Sequence, residues 1–411
     1  MMIKLINEIL NKMAEICKPQ RKFITEMLSV ILSGRGKMNF RNMSRYSTQS
    51  EKTFSRNYRK AFNFAEFNQQ ALSLVIRSGA RLIAAFDPSF VKKSGKQTYG
   101  KDYFWNGSAC KAEKGLEVGL LSIVDVDYNT AYALSARQTP PIAATRSNDE
   151  LPCTEESRVD AYLNHISENR KYLPKEVRHL AVDGFFGKEK FVTGVKDMGL
   201  EIVGKLPIDA NLRHPFDGKQ KQRGRPRKYG AKVNIDDLSQ LKFVCTTDNE
   251  LKLYTAIVYN ISLKRDVRIV LVVNDISKDK IGRALLFSTD LCLSAFEIYC
   301  FYKARFQIEF VFRDAKQYTG LADCQARSLM ALDWHFNASF AALNIAKIED
   351  RLTKKNESSK NTFSMASWKA RYFNESFISR FFSMLDIDLS LIKSNPQFEE
   401  LRNYGTISNF N

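Results

Sequence analysis

The sequence lacks any run approaching the roughly 20 apolar residues needed to span a bilayer, so a membrane-spanning chain is not expected. Its first residues, MMIKLINEILNKMAEICKPQRKF, are amphipathic rather than uniformly apolar, because Glu8 and Glu15 interrupt them; they do not read as a signal peptide. Seven cysteines stand singly at 17, 110, 153, 245, 292, 300 and 324 with no Cys-x-x-Cys pair, and the four histidines are scattered. That pattern argues against a zinc module and a disulfide framework, and suits a reducing cytoplasm. Acid is also in short supply. Asp and Glu number 45 against 63 Lys and Arg, leaving a formal charge of +18. An excess of that size favours polyanionic partners, nucleic acid first, since phosphate neutralisation releases counterions.

The 411 residues suggest two or three structural units. Up to about residue 75 the chain reads as helical, with Ile3, Ile6, Ile9 and Leu10 and then Phe23, Met27, Leu28, Ile31 and Leu32 at helical spacing. Gly34-Arg35-Gly36 breaks the second helix, and Ser50-Glu51-Lys52-Thr53 starts another that leads to Phe54, Arg56, Tyr58 and Arg59. A helix-turn-helix would look like this; so would an ordinary solvated helical pair. From about residue 80 the period changes. Arg81 to Asp87 is a short apolar run ending in an acid, followed by a Lys/Gly-rich loop and two strands, GLEVGLLSIVDV and TAYALSARQTP. A helix from Arg158 stops at Pro174, and His179 to Asp183 is a second apolar run ending in an acid. A helix closed by Gly199 and the strand LEIVGKLP complete a mixed α/β pattern. Residues 213–290 are rich in strands (LKFVCTTD, LKLYTAIVYN, VRIVLVVND), and helices return from about 291 to 390, with a polar linker at TKKNESSKN.

Asp87 and Asp183 thus stand at the C-terminal ends of separate apolar strands, where ligand sites of open α/β sheets tend to lie. If those strands are parallel neighbours, the carboxylates come side by side and repel unless they share a proton or a cation. A hard, oxygen-loving cation such as Mg²⁺ satisfies both. Strand-end acids are not specific by themselves, since Asp125 and Asp127 also end a strand and an Asp there often only opens a turn. The stretch YCFYKARFQIEFVFRDAKQYTG adds to them. Tyr302, Arg305, Glu309 and Lys316 are spaced by three, four and seven, which places them within roughly 60° of one another on a helix. One stripe offers an acid between two cations and a phenol, while Phe306, Ile308, Phe310 and Phe312 are left to pack elsewhere.

This pattern, Y-x2-R-x3-E-x6-K, resembles the signature of the insertion-sequence-four group of DDE transposases, and the likeness extends to Asp87 in AFDPSF and Asp183 in VDGFFGK. The resemblance spans roughly residues 80 to 345 and implies an RNase H-like mixed sheet core with a β-rich insertion, flanked by helical regions. The units would be a DNA-binding region over 1–78, the core over 79–212 and 291–345, the insertion over 213–290 and a helical C-terminal region over 346–411. It implies cut-and-paste transposition by metal-assisted phosphoryl transfer. Asp87, Asp183 and Glu309 would hold two Mg²⁺ ions (Mn²⁺ substituting), and Tyr302, Arg305 and Lys316 would contact phosphates. The partners would be double-stranded DNA, at the element's terminal inverted repeats and in the target, and a second copy of the chain, with a bacterial cytoplasmic, nucleoid-associated location. Some relatives hold a flipped base with a Trp in the insertion. Here the tryptophans are at 105, 334 and 368, so Tyr254 or Tyr259 would have to serve.

Two further basic features fit DNA. Arg223, Arg225, Arg227 and Lys228 around Gly224 and Pro226 look like a minor-groove hook, and Lys92, Lys93, Lys96 and Lys101 follow the first acid. Trp334 and Phe336 read as core; for the aromatic-rich tail the resemblance implies a dimer contact, and simple packing onto the core is the alternative. Competing expectations are a nuclease that cuts without joining, a decayed transposase that only binds DNA, and a basic structural protein.

Overall fold

The apolar run that carries Asp87 becomes the central strand of the molecule. In the computed structural model, which describes residues 2–141, 157–220, 223–224, 226–277, 280–354, 363–388 and 395–407, it is β1 (Leu82–Lys92). It is longer than its apolar residues suggest: antiparallel pairing with β3 (Lys111–Asp125) carries it from Leu82, opposite Asp125, to Lys92, opposite Gly115. Asp87 is therefore mid-strand rather than at a strand end. On the other side β1 runs parallel to β5 (His179–Ala181) only over Ala84 and Ala85. Beyond that level β5 has ended and one edge of β1 is open.

The outer edge of β3 is shared by β2 (Asp102–Asn106), formed within the Lys/Gly-rich stretch read as loop, and β4 (Thr130–Gln138). β6 (Glu201–Leu206) lies parallel to β5. The order β4–β3–β1–β5–β6, three antiparallel strands followed by two parallel ones, is the RNase H-like arrangement. Helices α6 (Arg158–Asn169) and α7 (Glu189–Asp197) precede and follow β5. Gly199 closes α7 with φ +73°, a conformation that favours a residue without Cβ.

The strand-rich residues after β6 continue this same sheet. β7 (Leu212–Pro215), β8 (Tyr229–Lys232), β9 (Lys242–Thr246), β10 (Lys252–Asn260), β11 (Arg265–Ser277) and β12 (Lys280–Ser288) join it through β12, which pairs antiparallel with β6. The path runs β6–β12–β11–β10–β7–β8, with β9 also on β10.

Helices cover the sheet. At the N-terminal side are α1 (Met2–Asn11), α2 (Lys18–Ser33), α3 (Phe40–Met43), α4 (Glu51–Asn57) and α5 (Phe64–Leu72). Gly34 ends α2 and the Ser50 side chain caps α4, as the sequence indicates. Phe54 and Tyr58 are buried, with Tyr58 packed on Trp334 at 4.1 Å between ring centres, while Arg56 and Arg59 face solvent. After the sheet come α8 (Ala295–Arg305), α9 (Gln307–Tyr318), α10 (Leu329–Thr353), α11 (Met365–Met384) and α12 (Pro396–Arg402). The linker TKKNESSKN falls almost wholly outside the described residues. No described helix is long and apolar enough to cross a membrane.

The spine is α10. Its apolar residues, Trp334 and Phe336 among them, join the N-terminal helices and the sheet in one hydrophobic core. Its polar residues seal the free edge of β4. Asp333 accepts from the Gln138 N–H at 3.0 Å, Asn337 bonds the N–H and C=O of Ala136, Asn344 does the same at Ala133, and Lys347 donates to the Ala131 carbonyl at 2.9 Å. An edge strand that would otherwise offer bare backbone groups is thereby satisfied side chain by side chain.

Candidate active site

The register between β1 and β5 brings the first two acids together. Ala84 lies opposite Leu180 and Ala85 opposite Ala181, so continuing the count puts Asp87 level with Asp183. Asp183 caps the short turn Gly184–Phe186, accepting the Phe185 N–H at 2.8 Å with one carboxylate oxygen. That is an ordinary turn-opening role, and it leaves the second oxygen for another partner. Asp125 and Asp127, the other strand-end acids, are occupied structurally, by Arg351 at 3.0 Å and Arg81 at 2.7 Å.

The signature residues arrive on two helices rather than one. The expected single helix tightens at Phe306, where Phe306 N–H bonds to Lys303 and Glu309 N–H to Phe306 across three residues instead of four. The stripe survives this joint. Arg305 lies with its guanidinium 5.5 Å from the centre of the Tyr302 ring and within 3.5 Å of Glu309, a loose contact. Lys316 donates to the Ser89 hydroxyl at 2.9 Å, fastening α9 to β1 two residues beyond Asp87. Ile308 and Phe312 enter the core, while Phe306 is 47% exposed and packs edge-on against Phe310.

The electrostatics of this cluster centre on Asp87. Burial raises its carboxyl; Arg305 opposes the rise, and Asp183, Glu309 and Glu117 add to it, leaving it at about 7. Burial also raises the Tyr302 phenol, with Arg305 opposing. Burial lowers the Lys316 ammonium, which Asp87 pulls back up. Glu117 does not stand out by sequence reasoning. It is a buried acid in the apolar strand β3, holding the Tyr162 hydroxyl at 2.6 Å. The signal that could have found it is one acid breaking the run GLEVGLL.

Two observations bear on what such a cluster could hold. Its acids offer only carboxylate oxygens, the donor set that suits a hard divalent cation, and the electrostatic cost of gathering them falls on Asp87. Arg305 is 9% exposed and its Nε has no hydrogen-bond partner among the described residues, an unmet demand that an anionic oxygen satisfies. Among the described residues no three His, Cys, Asp or Glu side chains form a group able to hold a metal ion.

The other sequence-selected residues lie elsewhere. Arg223, Arg227 and Lys228 are exposed between β7 and β8, and Arg225 falls outside the described residues. β7 is six strands along from β1, roughly 29 Å at ordinary strand spacing. Tyr254 and Tyr259 are on β10, roughly 24 Å along by the same measure, and their rings pack on Phe243 and Tyr229. Neither is brought beside the acids. Of the lysines after Asp87, Lys93 holds the Cys324 carbonyl and Lys101 that of Gly95, while Lys92 and Lys96 are exposed.

A family model described as "DDE superfamily endonuclease" matches residues 18–260, which include Asp87 and Asp183 and stop short of α8 and α9. No curated protein matches the sequence.

Proposed function

The chain belongs to the DDE superfamily of endonucleases, and from that premise we propose that it is the cut-and-paste transposase of an insertion sequence. The observation that carries this reading is the meeting of Asp87 and Asp183 across β1 and β5 with the Tyr302–Arg305–Glu309–Lys316 stripe. Asp87, Asp183 and Glu309 would hold two divalent cations, Mg²⁺ or Mn²⁺. Bound there, the cations would supply Lewis acidity to the oxygens that attack and leave in an in-line displacement.

The chain's own residues do the rest. Arg305, propped on Tyr302 with a free Nε, is placed to take a non-bridging phosphate oxygen. Lys316, tied to Ser89, brings a second positive charge to the same phosphate region. The opened edge of β1 gives the backbone of DNA an approach to Asp87. In the first step a water oxygen bonds to phosphorus, the bond to the 3′ oxygen breaks, and that oxygen takes up a proton. In the second the freed 3′-hydroxyl loses its proton, bonds to a target phosphorus and displaces the target's 3′ oxygen. Arg223, Arg227 and Lys228 would meet DNA well away from the cut. Two element ends must be held at once, which calls for two copies of the chain.

A nuclease that stops after the first step has the same family description. Gel analysis of a labelled element end incubated with supercoiled target separates the two. Joined end–target products support transposition; cut ends that never join leave the chain an endonuclease alone.

A further inference from the structure

Beyond the acid cluster, the molecule carries a groove of about 1040 Å³ between the N-terminal helices, the end of β1 and the loop that leads into α10. Five cations line it: Lys37 and Arg59 from the helical region, Lys92 and Lys93 from the end of β1, and Arg327 before α10. Only Glu51 and Asp323 oppose them, and Asp323 is engaged by the Met38 N–H at 2.8 Å. Two of the cations build the wall, Lys93 through the Cys324 carbonyl and Arg327 through the Gln97 side chain at 3.0 Å. The other three, Lys37, Arg59 and Lys92, are exposed and make no ion pair among the described residues.

Three exposed cations on three separate segments of the chain suit an extended polyanion better than a compact one. The groove lies at the end of the strand that carries Asp87, which reaches it at Lys92. We propose that this groove is a second DNA-binding track, holding the phosphate backbone of the duplex that extends from the scissile phosphate. The inference rests on the reading of the acids as a DNA-cutting centre. Five residues of strand cover about 17 Å, so at 3.4 Å of duplex per base pair the track begins about five base pairs from the cut. DNA shorter than that does not reach it.

The test is equilibrium binding by the full chain, without divalent cation, to duplexes carrying four or twenty base pairs beyond the scissile phosphate. Wild type is compared with a Lys37→Ala, Arg59→Ala, Lys92→Ala triple variant. A control variant loses three exposed charges elsewhere, at Lys4, Lys175 and Arg178. The long duplex should bind wild type and control at least tenfold more tightly than the short one, and this ratio should collapse towards one in the groove variant. The dependence of log affinity on log salt for the long duplex should flatten by about 2.7, at 0.9 per lost phosphate contact. An unchanged ratio and slope in the groove variant overturn the track, as does a wild-type preference for an RNA duplex of the same length. A wild type that cuts DNA while the groove variant keeps its full length dependence fails the track alone. A wild type that binds no duplex at all fails the underlying reading as well.

Discussion

Lys316 of α9 and Ser89 of β1, 227 positions apart, are joined by a 2.9 Å hydrogen bond that sets α9 against the strand bearing Asp87. The charge and the fastening can be separated by substitution. Lys316→Ala removes both and should slow single-turnover cleavage by roughly 10- to 100-fold, the worth of a charge-assisted hydrogen bond. Ser89→Ala leaves the ammonium in place and should cost under about tenfold. Equal losses in the two variants would show that the bond, not the charge, is what matters.

Arg305 should not be replaceable by Lys. Its guanidinium is buried over Tyr302 with Nε unpartnered, and an ammonium can reproduce neither the planar fork nor the stacking. Arg305→Lys is expected to keep its unfolding midpoint within a few degrees while cleavage drops by more than about tenfold. Wild-type cleavage rates in the Lys variant would remove Arg305 from the site.

The edge of β4 offers a stability test away from the chemistry. Asn344→Leu keeps the branching of the side chain but strips partners from both backbone groups of Ala133 and from Asn68 Oδ1, all buried. The loss should be roughly 2–5 kcal/mol at unpaired-group costs, read as a lower urea midpoint with an unchanged slope. A midpoint equal to wild type would mean that water or a shifted neighbour satisfies that edge.

His165 makes stability depend on pH. Burial, with Arg137 adding to it, pushes the imidazole down to about 3, against about 6.5 in the unfolded chain. Between those values the unfolded chain binds the proton and the native one does not, so stability is complete above about 6.5 and is lost as pH falls. From pH 7 to 5 this group should cost about 2 kcal/mol. Comparison with His165→Asn isolates it: the variant should show that much less pH dependence, and parallel curves would refute the assignment.

The parts of this molecule written in local residue pattern are legible in the amino-acid sequence alone. Asp183, the Ser50 cap, the Gly34 break and the spacing of Tyr302, Arg305, Glu309 and Lys316 depend on neighbours a few positions away. What depends on distant pairing is not legible there. β1 runs on to Lys92 because β3 lies beside it, and β2, β7 and β8 are short or polar strands that exist through their partners. The bonds from Asp333, Asn337, Asn344 and Lys347 to β4 look, in sequence, like ordinary polar helix positions. The basic residues around Arg223 read as a minor-groove hook, and their place between β7 and β8, at the far end of the sheet from Asp87, follows only from the strand order. Nor does helical spacing reveal that Phe306 tightens the turn and stays exposed.

The central claim is that Asp87, Asp183 and Glu309 act together on DNA through divalent cations. The most direct measurement is cleavage and joining of a labelled DNA carrying the element's own ends, with Mg²⁺ or Mn²⁺ and with neither, by wild type and by Glu309→Ala, with DNA binding followed in parallel. The account predicts cutting and joining only with metal and wild-type protein, and binding by both proteins. Cutting that persists in Glu309→Ala, or that needs no metal, would contradict it.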